Sequence, residues 1–200
     1  MKYVIIDTET TGLDSLKHEL LSIGAIVYID DRITETLELK ILPERLENAD
    51  PKALEINGYS KYKWKDALQG SKAFWEVWLP FILRHRNGIF VAHNMQFDRK
   101  FIMQFSMKYY NEDLDKIDIP AGYIDTRDLA RSTLAPLGCK SMSLDNICEF
   151  LGWERRASHT ALSDCEDCLR LIQNLSPPKI NFILKIKARL KIKKLIRFIQ

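Results

Sequence analysis

Lys2-Tyr3-Val4-Ile5-Ile6-Asp7-Thr8-Glu9-Thr10-Thr11-Gly12-Leu13-Asp14 opens the chain, and its reading decides the fold. Lys2 to Ile6 is an apolar, β-branched run that stops at Asp7, the pattern of a buried strand. Thr10 to Asp14 reads as a turn. Asp7 and Glu9 stand two apart, so on an extended backbone both carboxylates leave the same face. Carboxylates aimed together repel, and one takes up a proton unless a cation sits between them. Two exposed acids in a turn would show the same Asp-x-Glu pattern, so its meaning depends on the rest of the chain.

Working outward, Leu20 to Ile29 is a second strand rich in Ile, Leu, Val and Tyr. Asp30-Asp31 is a tight turn, and Ile33 to Leu42 alternates apolar with polar, so a third strand pairs back. These three strands form an antiparallel meander. Pro51 to Ile56 suits a short helix, with Asp50 as N-cap, Pro51 at the first helical position and Asn57-Gly58 as its stop. Residues 71–86 form a mostly buried helix that Pro80 should kink. Ile89 to Ala92 is a short strand, and Tyr123-Ile124 leads into Asp125 as another. Phe97, Phe101, Ile102 and Phe105 recur at helical spacing. Ser143 caps a helix that runs to Phe150 and closes at Gly152. Leu162, Cys165, Leu169 and Ile172 mark a further helix ending near Asn174. Three strands followed by alternating helices and strands give an α/β domain with a mixed five-stranded sheet.

The chain has 200 residues, 46% of them hydrophobic, enough for one domain with a real core. Its net charge of +3 hides an asymmetry. Residues 177–200 hold eight basic residues and no acid, whereas residues 1–176 hold 22 basic and 27 acidic residues. We therefore divide the chain into a domain over 1–176 and a basic tail over 177–200. An acidic body acting on nucleic acid needs bound cations nearby, or a basic segment at longer range, to offset repulsion. No secretory signal opens the chain, and no apolar run approaches the ~18 residues of a membrane span. The expectation is a reduced, cytoplasmic protein whose Cys139, Cys148, Cys165 and Cys168 are free thiols.

Two more segments carry acids at element starts. In Phe90-Val91-Ala92-His93-Asn94-Met95-Gln96-Phe97-Asp98, a strand enters a helix through His93-Asn94, and Asp98 falls in the first turn, where the macrodipole favours it. In His159-Thr160-Ala161-Leu162-Ser163-Asp164, His159 sits on an entry loop and Asp164 about one turn inside a helix. A loop histidine suits proton transfer near neutral pH. Each element alone has a bland reading: a stabilised helix start, or a surface histidine.

Together, in order and spacing, they resemble the three motifs of the DEDD exonuclease superfamily, histidine-containing branch. Asp7-x-Glu9-Thr10-x-Gly12-Leu13 resembles the first, His93-Asn94-x-x-Phe97-Asp98-x-x-Phe101 the second and His159-x-Ala161-x-x-Asp164 the third. Asp125-Thr126-x-x-Leu129-Ala130-Arg131 and Leu144-Asp145-x-x-Cys148-x-x-Leu151-Gly152 resemble the segments between motifs two and three. The likeness covers roughly residues 1–175 and is nearest to bacterial proofreading subunits and ribonuclease T. One departure is Leu21-Ser22-Ile23-Gly24, where the family often has a glutamate before Ile-Gly.

The resemblance implies a ribonuclease H-like fold and a 3′→5′ exonuclease, DNA favoured over RNA, releasing 5′-nucleoside monophosphates in proofreading or repair. It implies two Mg²⁺ or Mn²⁺ ions held by Asp7, Glu9, Asp98 and Asp164, hard cations for oxygen ligands. Asp7 would bridge the ions, Glu9 and Asp164 would support the one that activates water, and Asp98 would act mainly through water. His159 would take the proton. Thr10 would read the 3′-hydroxyl, Leu13 would wedge beside the terminal base and Phe97 would line the pocket. His93 and Asn94 would touch substrate or hold the loop. Implied partners are single-stranded DNA or RNA 3′ ends and a DNA polymerase, with the protein a monomer or homodimer. The alternatives are a non-catalytic nucleic-acid-binding or polymerase-associated module on the same scaffold, and a structural adaptor recruited through the tail.

Three features stay outside this frame. Cys165-x-x-Cys168 has redox spacing but lies inside a helix with no strand before it, which favours core packing. Tyr59, Tyr62 and Trp64 alternate with Lys61, Lys63 and Lys65; this stretch is either a single-strand stacking surface or a solvated loop with anchoring rings. The tail alternates apolar and polar residues at period two although its composition favours helix. Its chemistry suits a nucleic-acid backbone, an acidic membrane surface or a protein.

Overall fold

The computed structural model describes residues 1–110, 122–154 and 160–175; His159 and the tail at 177–200 lie outside the described residues. β1 (Lys2–Thr10), β2 (Leu20–Ile29) and β3 (Arg32–Leu42) form the expected antiparallel meander. Asp30 and Asp31 both take positive φ, 48° and 64°. A two-residue hairpin loop needs that geometry to match the twist of its strands. β1 runs further than its apolar pattern announces. It stays paired beyond Asp7 as far as Thr10, which meets Leu20 after an irregularity at Glu9/Thr10. Ladder bonds to β2 carry the strand through its polar end, so Asp7 and Glu9 sit in the strand and the turn follows Thr10.

β5 (Ile89–Ala92) pairs parallel to β1, and β6 (Tyr123–Asp125) parallel to β5. The sheet has six strands rather than five. The extra one, β4 (Leu68–Gln69), is two residues paired with Ile41 and Leu42, too short to show any alternation. The order is β4-β3-β2-β1-β5-β6, with β1 near the middle and paired on both edges.

α1 (Pro51–Ile56) starts as read, with the Lys52 N–H donating to the Asp50 carboxylate at 2.9 Å. The stretch expected as one helix kinked at Pro80 is α2 (Gly70–Lys72), a π-helical segment Ala73–Trp78 and α3 (Leu79–His85). The Leu79 N–H reaches back five residues to the Phe74 carbonyl. Proline lacks an N–H and crowds the preceding turn, and a widened turn just before it absorbs both faults. α4 (Met95–Tyr109), α5 (Thr126–Leu134), α6 (Leu144–Leu151) and α7 (Ala161–Leu175) complete the domain. Ser143 and Gly152 bound α6 as expected, Gly152 at φ 67°. No helix among the described residues is long and apolar enough to cross a membrane.

The strands' two-residue period divides the core. Val4, Ile6, Phe90 and Ala92 pack with Phe74, Trp78, Phe101, Ile102 and Phe105 of the π segment and α4. Ile5, Val91 and Ile26 pack with residues of α5, α6 and α7, among them Leu134, Ile147 and Leu171. Cys165 and Cys168 are fully buried in that second layer, and burial holds both thiols well above their ordinary range. The sheet is thus covered on both faces, each large side chain contributing about 1.5–3 kcal/mol.

One glycine sets how closely the second layer approaches. Gly24 pairs with Asp7, and a Cβ there would lie 2.5 Å from the Leu162 backbone nitrogen. The start of α7 therefore lies directly on β2, beside the acids of β1. Gly24→Ala should push α7 off the sheet and cost about 1–3 kcal/mol. Calorimetry should show a drop of roughly 3–10 °C in melting temperature for a chain this size. An unchanged melting temperature would show that α7 has slack there.

Candidate active site

The alternation of β1 assigns its polar end to two sides. Asp7 and Glu9 share the face of Ile5, which α7 covers; Thr8 shares the face of Val4 and Ile6, beside α4. From the first side, α7 brings Asp164. Thr160 and Ser163 start that helix reciprocally, the Ser163 N–H donating to Thr160 Oγ1 and the Thr160 N–H to Ser163 Oγ, each at 3.2 Å. Asp7, Glu9 and Asp164 then each offer a carboxylate oxygen, all within 4.8 Å of one another. All three are partly exposed and line one cleft of about 490 Å³.

From the second side comes Asp98. It is 2% exposed, and Thr8 Oγ1 donates to its Oδ1 at 2.8 Å. Burial, partly offset by that hydroxyl and by backbone N–H groups, pushes its carboxyl up from 3.8 to about 8. Asp98 lines the same cleft as the other three. The sequence-derived set of four acids therefore converges, three as a cluster and the fourth set into the wall.

Asp125 positions the Asp98 wall. Its carboxylate accepts the Asn94 N–H at 3.2 Å, the Met95 N–H at 2.9 Å and the Arg127 N–H at 2.9 Å. One side chain at the end of β6 thus caps the starts of both α4 and α5. Asn94 takes φ 82°, the left-handed bend that turns β5 into α4.

His93 ties the β5–α4 junction to Met142, which also lines the cleft. Its Nε2 lies 2.6 Å from the Met142 carbonyl, which can only accept, so Nε2 carries the proton. Nδ1 lies 3.0 Å from the Thr126 hydroxyl. Desolvation holds this imidazole below its ordinary pKa, against the pull of the Met142 carbonyl. Of the two roles open to His93, holding the loop uses both ring nitrogens.

The other expected substrate residues divide, two lining the cleft and two, Thr10 and Leu13, outside it. Phe97 and Asn94 line it. Thr10 is buried; its hydroxyl donates to the Gly12 carbonyl at 2.7 Å, and its own carbonyl accepts from Asn57 Nδ2 at 2.8 Å. Leu13 is 81% exposed on the loop beyond. His159 lies outside the described residues, next to Thr160. Sequence reading missed Thr8, Asp125 and Ile56, the last an exposed apolar side chain on the cleft. Asp125 carried a legible signal, since an acid just before a helix is a cap. Ile56 carried none, because its cleft-facing position depends on where α1 docks.

Two measurements test this geometry. Asp98 has a raised folded pKa, so its contribution to stability is complete below pH 3.8 and lost as pH rises toward about 8. In chelator, Asp98→Asn should melt above the parent by a margin that widens from pH 5 to 8 and then levels; a constant margin refutes a buried, strained carboxyl. Asp125→Ala removes acceptors from two helix starts and should cost about 1–3 kcal/mol in denaturant melts. A loss near zero would show that water replaces it.

The exonuclease family model RNase_T matches residues 4–172. The DNA polymerase III PolC-type of Thermotoga petrophila is 33% identical over 162 residues, covering 81% of this chain and 11% of that protein. The DNA polymerase III subunit epsilon of Buchnera aphidicola subsp. Schizaphis graminum is 31% identical over 168 residues, covering 80% of this chain and 66% of its own. The chain thus spans about a tenth of the PolC-type relatives' length. Among solved structures, E. coli exonuclease I in complex with a dT13 oligonucleotide superposes with TM-score 0.70 at 16% identity, covering 90% of this chain and 43% of the other. Cell-death related nuclease 4 (CRN-4) gives 0.65 at 18%, covering 86% and 62%. These likenesses share the ribonuclease H-like fold. The family match runs from Val4 on β1 to Ile172 on α7, across every element that carries a cleft acid, and on it this chain belongs to the RNase_T family of exonucleases.

Proposed function

We propose that the chain is a metal-dependent 3′→5′ exonuclease that hydrolyses single-stranded or frayed 3′ ends and releases 5′-nucleoside monophosphates. The observation that carries this reading is the meeting of Asp7, Glu9 and Asp164 within 4.8 Å in a cleft that Asp98 also lines. Three partly exposed carboxylates this close are costly without a cation and suit hard divalent ions. Mg²⁺ or Mn²⁺, two ions in all, fits an all-oxygen donor set; when bound, they neutralise phosphoryl charge and lower the pKa of water.

The chain's own residues do the rest. Asp7 belongs to the cluster with Glu9 and Asp164 and adjoins Thr8, which holds Asp98, the position for a shared ligand. Thr8 keeps the Asp98 carboxylate oriented when it ionises. His159, the residue before Thr160 in the sequence, takes the proton from the attacking water. Ile56 and Phe97 on the cleft lining would meet the terminal base, and Leu13, exposed on the loop after β1, would wedge beside it. Contacts of this kind ignore base identity, as stepwise removal requires.

DNA is favoured over RNA because the curated relatives are DNA polymerase III proteins and the superposed exonuclease I holds a dT13 strand. Association with a DNA polymerase, in proofreading or repair in the cytoplasm, is part of the same reading, and the relatives named as DNA polymerase III proteins support it. Asp7→Ala should keep the fold, by circular dichroism and melting, and cut release of nucleotides from 3′-labelled single-stranded DNA with Mn²⁺ by more than a hundredfold. Loss of an outer-sphere partner alone costs about 10–100-fold in metal sites. Wild-type rates in that variant would sink the assignment, and a parent that binds DNA without cutting would leave a non-catalytic module.

A further inference from the structure

The loop after α1 carries Tyr59-Ser60-Lys61-Tyr62-Lys63-Trp64-Lys65-Asp66. Two of its rings anchor it. Trp64 is buried, and its indole N–H donates to the Leu21 carbonyl at 3.1 Å. Tyr59 packs against Trp64 with ring centres 5.1 Å apart. The Lys63 N–H donates to Ser60 Oγ at 3.2 Å, the Trp64 N–H to the Ser60 carbonyl at 3.0 Å and the Ala67 N–H to the Trp64 carbonyl at 3.0 Å. The loop is therefore a set of closed turns fixed to the start of β2.

The third ring does the opposite. Tyr62 is 79% exposed in this fixed turn and gains little from burial. The Lys65 ammonium lies 5.4 Å from its ring centre, which helps hold its orientation. Lys61, Lys63 and Lys65 are all exposed. Lys40 of β3 joins them, its Nζ 3.5 Å from the Lys63 carbonyl and 5.3 Å from the Trp64 ring centre. Lys65 thus lies over the presented ring, Lys61 and Lys63 flank it along the chain and Lys40 reaches the same turns, against the single acid Asp66 in the stretch.

The loop continues from the cleft. Ile56 lines the cleft, and Asn57 holds the Thr10 carbonyl. Tyr62 follows Ile56 by six residues, within a reach of roughly 20 Å. A strand whose 3′ end lies in the cleft has upstream nucleotides to place, and the domain around it is otherwise acidic. We infer that the Tyr62 loop is a second, sequence-blind platform for single-stranded nucleic acid, on which a base stacks against Tyr62 while Lys40, Lys61, Lys63 and Lys65 face phosphates. Base stacking on an exposed ring tolerates every sequence, and lysine–phosphate contacts make binding salt-dependent. The direction of the strand rests on the nuclease reading; the binding itself needs no catalysis.

The test uses the full chain in chelator, with a fluorescent single strand of roughly fifteen nucleotides followed by anisotropy. Tyr62→Ala should raise Kd about tenfold, within the range for losing one stacked base. Replacing Lys61, Lys63 and Lys65 together by Gln should flatten the dependence of log Kd on log salt by about 0.7 for each phosphate no longer neutralised. Parental Kd and salt slope in both variants would overturn the platform. Variants that lose binding to anionic lipid vesicles but keep it to the oligonucleotide would assign the patch to a membrane and overturn it too. Cleavage of a trinucleotide by the parent with Mn²⁺ reads the nuclease activity separately, so the two proposals fail independently.

Discussion

The two-residue period of β1 is the constraint on which the site depends. Because neighbouring side chains leave a strand on opposite faces, Ile5, Asp7 and Glu9 face the α7 layer while Val4, Ile6 and Thr8 face the α4 layer. The apolar half of the strand is buried in two cores at once, so its register cannot slip without exposing one of them. That same register aims Asp7 and Glu9 at Asp164 and Thr8 at Asp98. Core packing and the placement of the cleft acids are therefore one requirement.

The arrangement opposes itself electrostatically. Asp7, Glu9 and Asp164 bring carboxylate oxygens within 4.8 Å of one another, and Asp98 is buried where its charge is poorly solvated. The fold tolerates this because rigid elements hold each group: a strand paired on both edges, a helix seated on Gly24 and a helix start tied down by Asp125. A divalent cation bound among these acids, as the proposed activity requires, would offset the repulsion between them.

Much of the architecture was legible in the chain because local chemistry and tertiary packing agree. The meander, the Asp50 and Ser143 caps, the Gly152 stop and the helix carrying Asp164 all appear where propensity and pattern put them. The departures occur where distant pairing overrides local preference. β1 outlasts its apolar run because β2 continues beside it, and β4 exists only because Ile41 and Leu42 offer a free edge. The helix expected to kink at Pro80 instead passes through a π turn, a choice between two ways of sparing one missing N–H that sequence does not settle.

The sequence by itself determined which groups are candidates for the chemistry: four acids and a histidine at spacings that resemble the exonuclease motifs, and a lysine-tyrosine loop. Those depend only on residue type and order along the chain. The tertiary structure alone decided that Asp98 enters from the other side of the sheet, buried against Thr8, and that Asp125 holds two helix starts. It alone decided that Trp64 anchors its loop while Tyr62 stands exposed. Burial and convergence are properties of surfaces brought together from distant parts of the chain, 90 residues apart for Thr8 and Asp98, and no local pattern encodes which side chain will be the one left facing water.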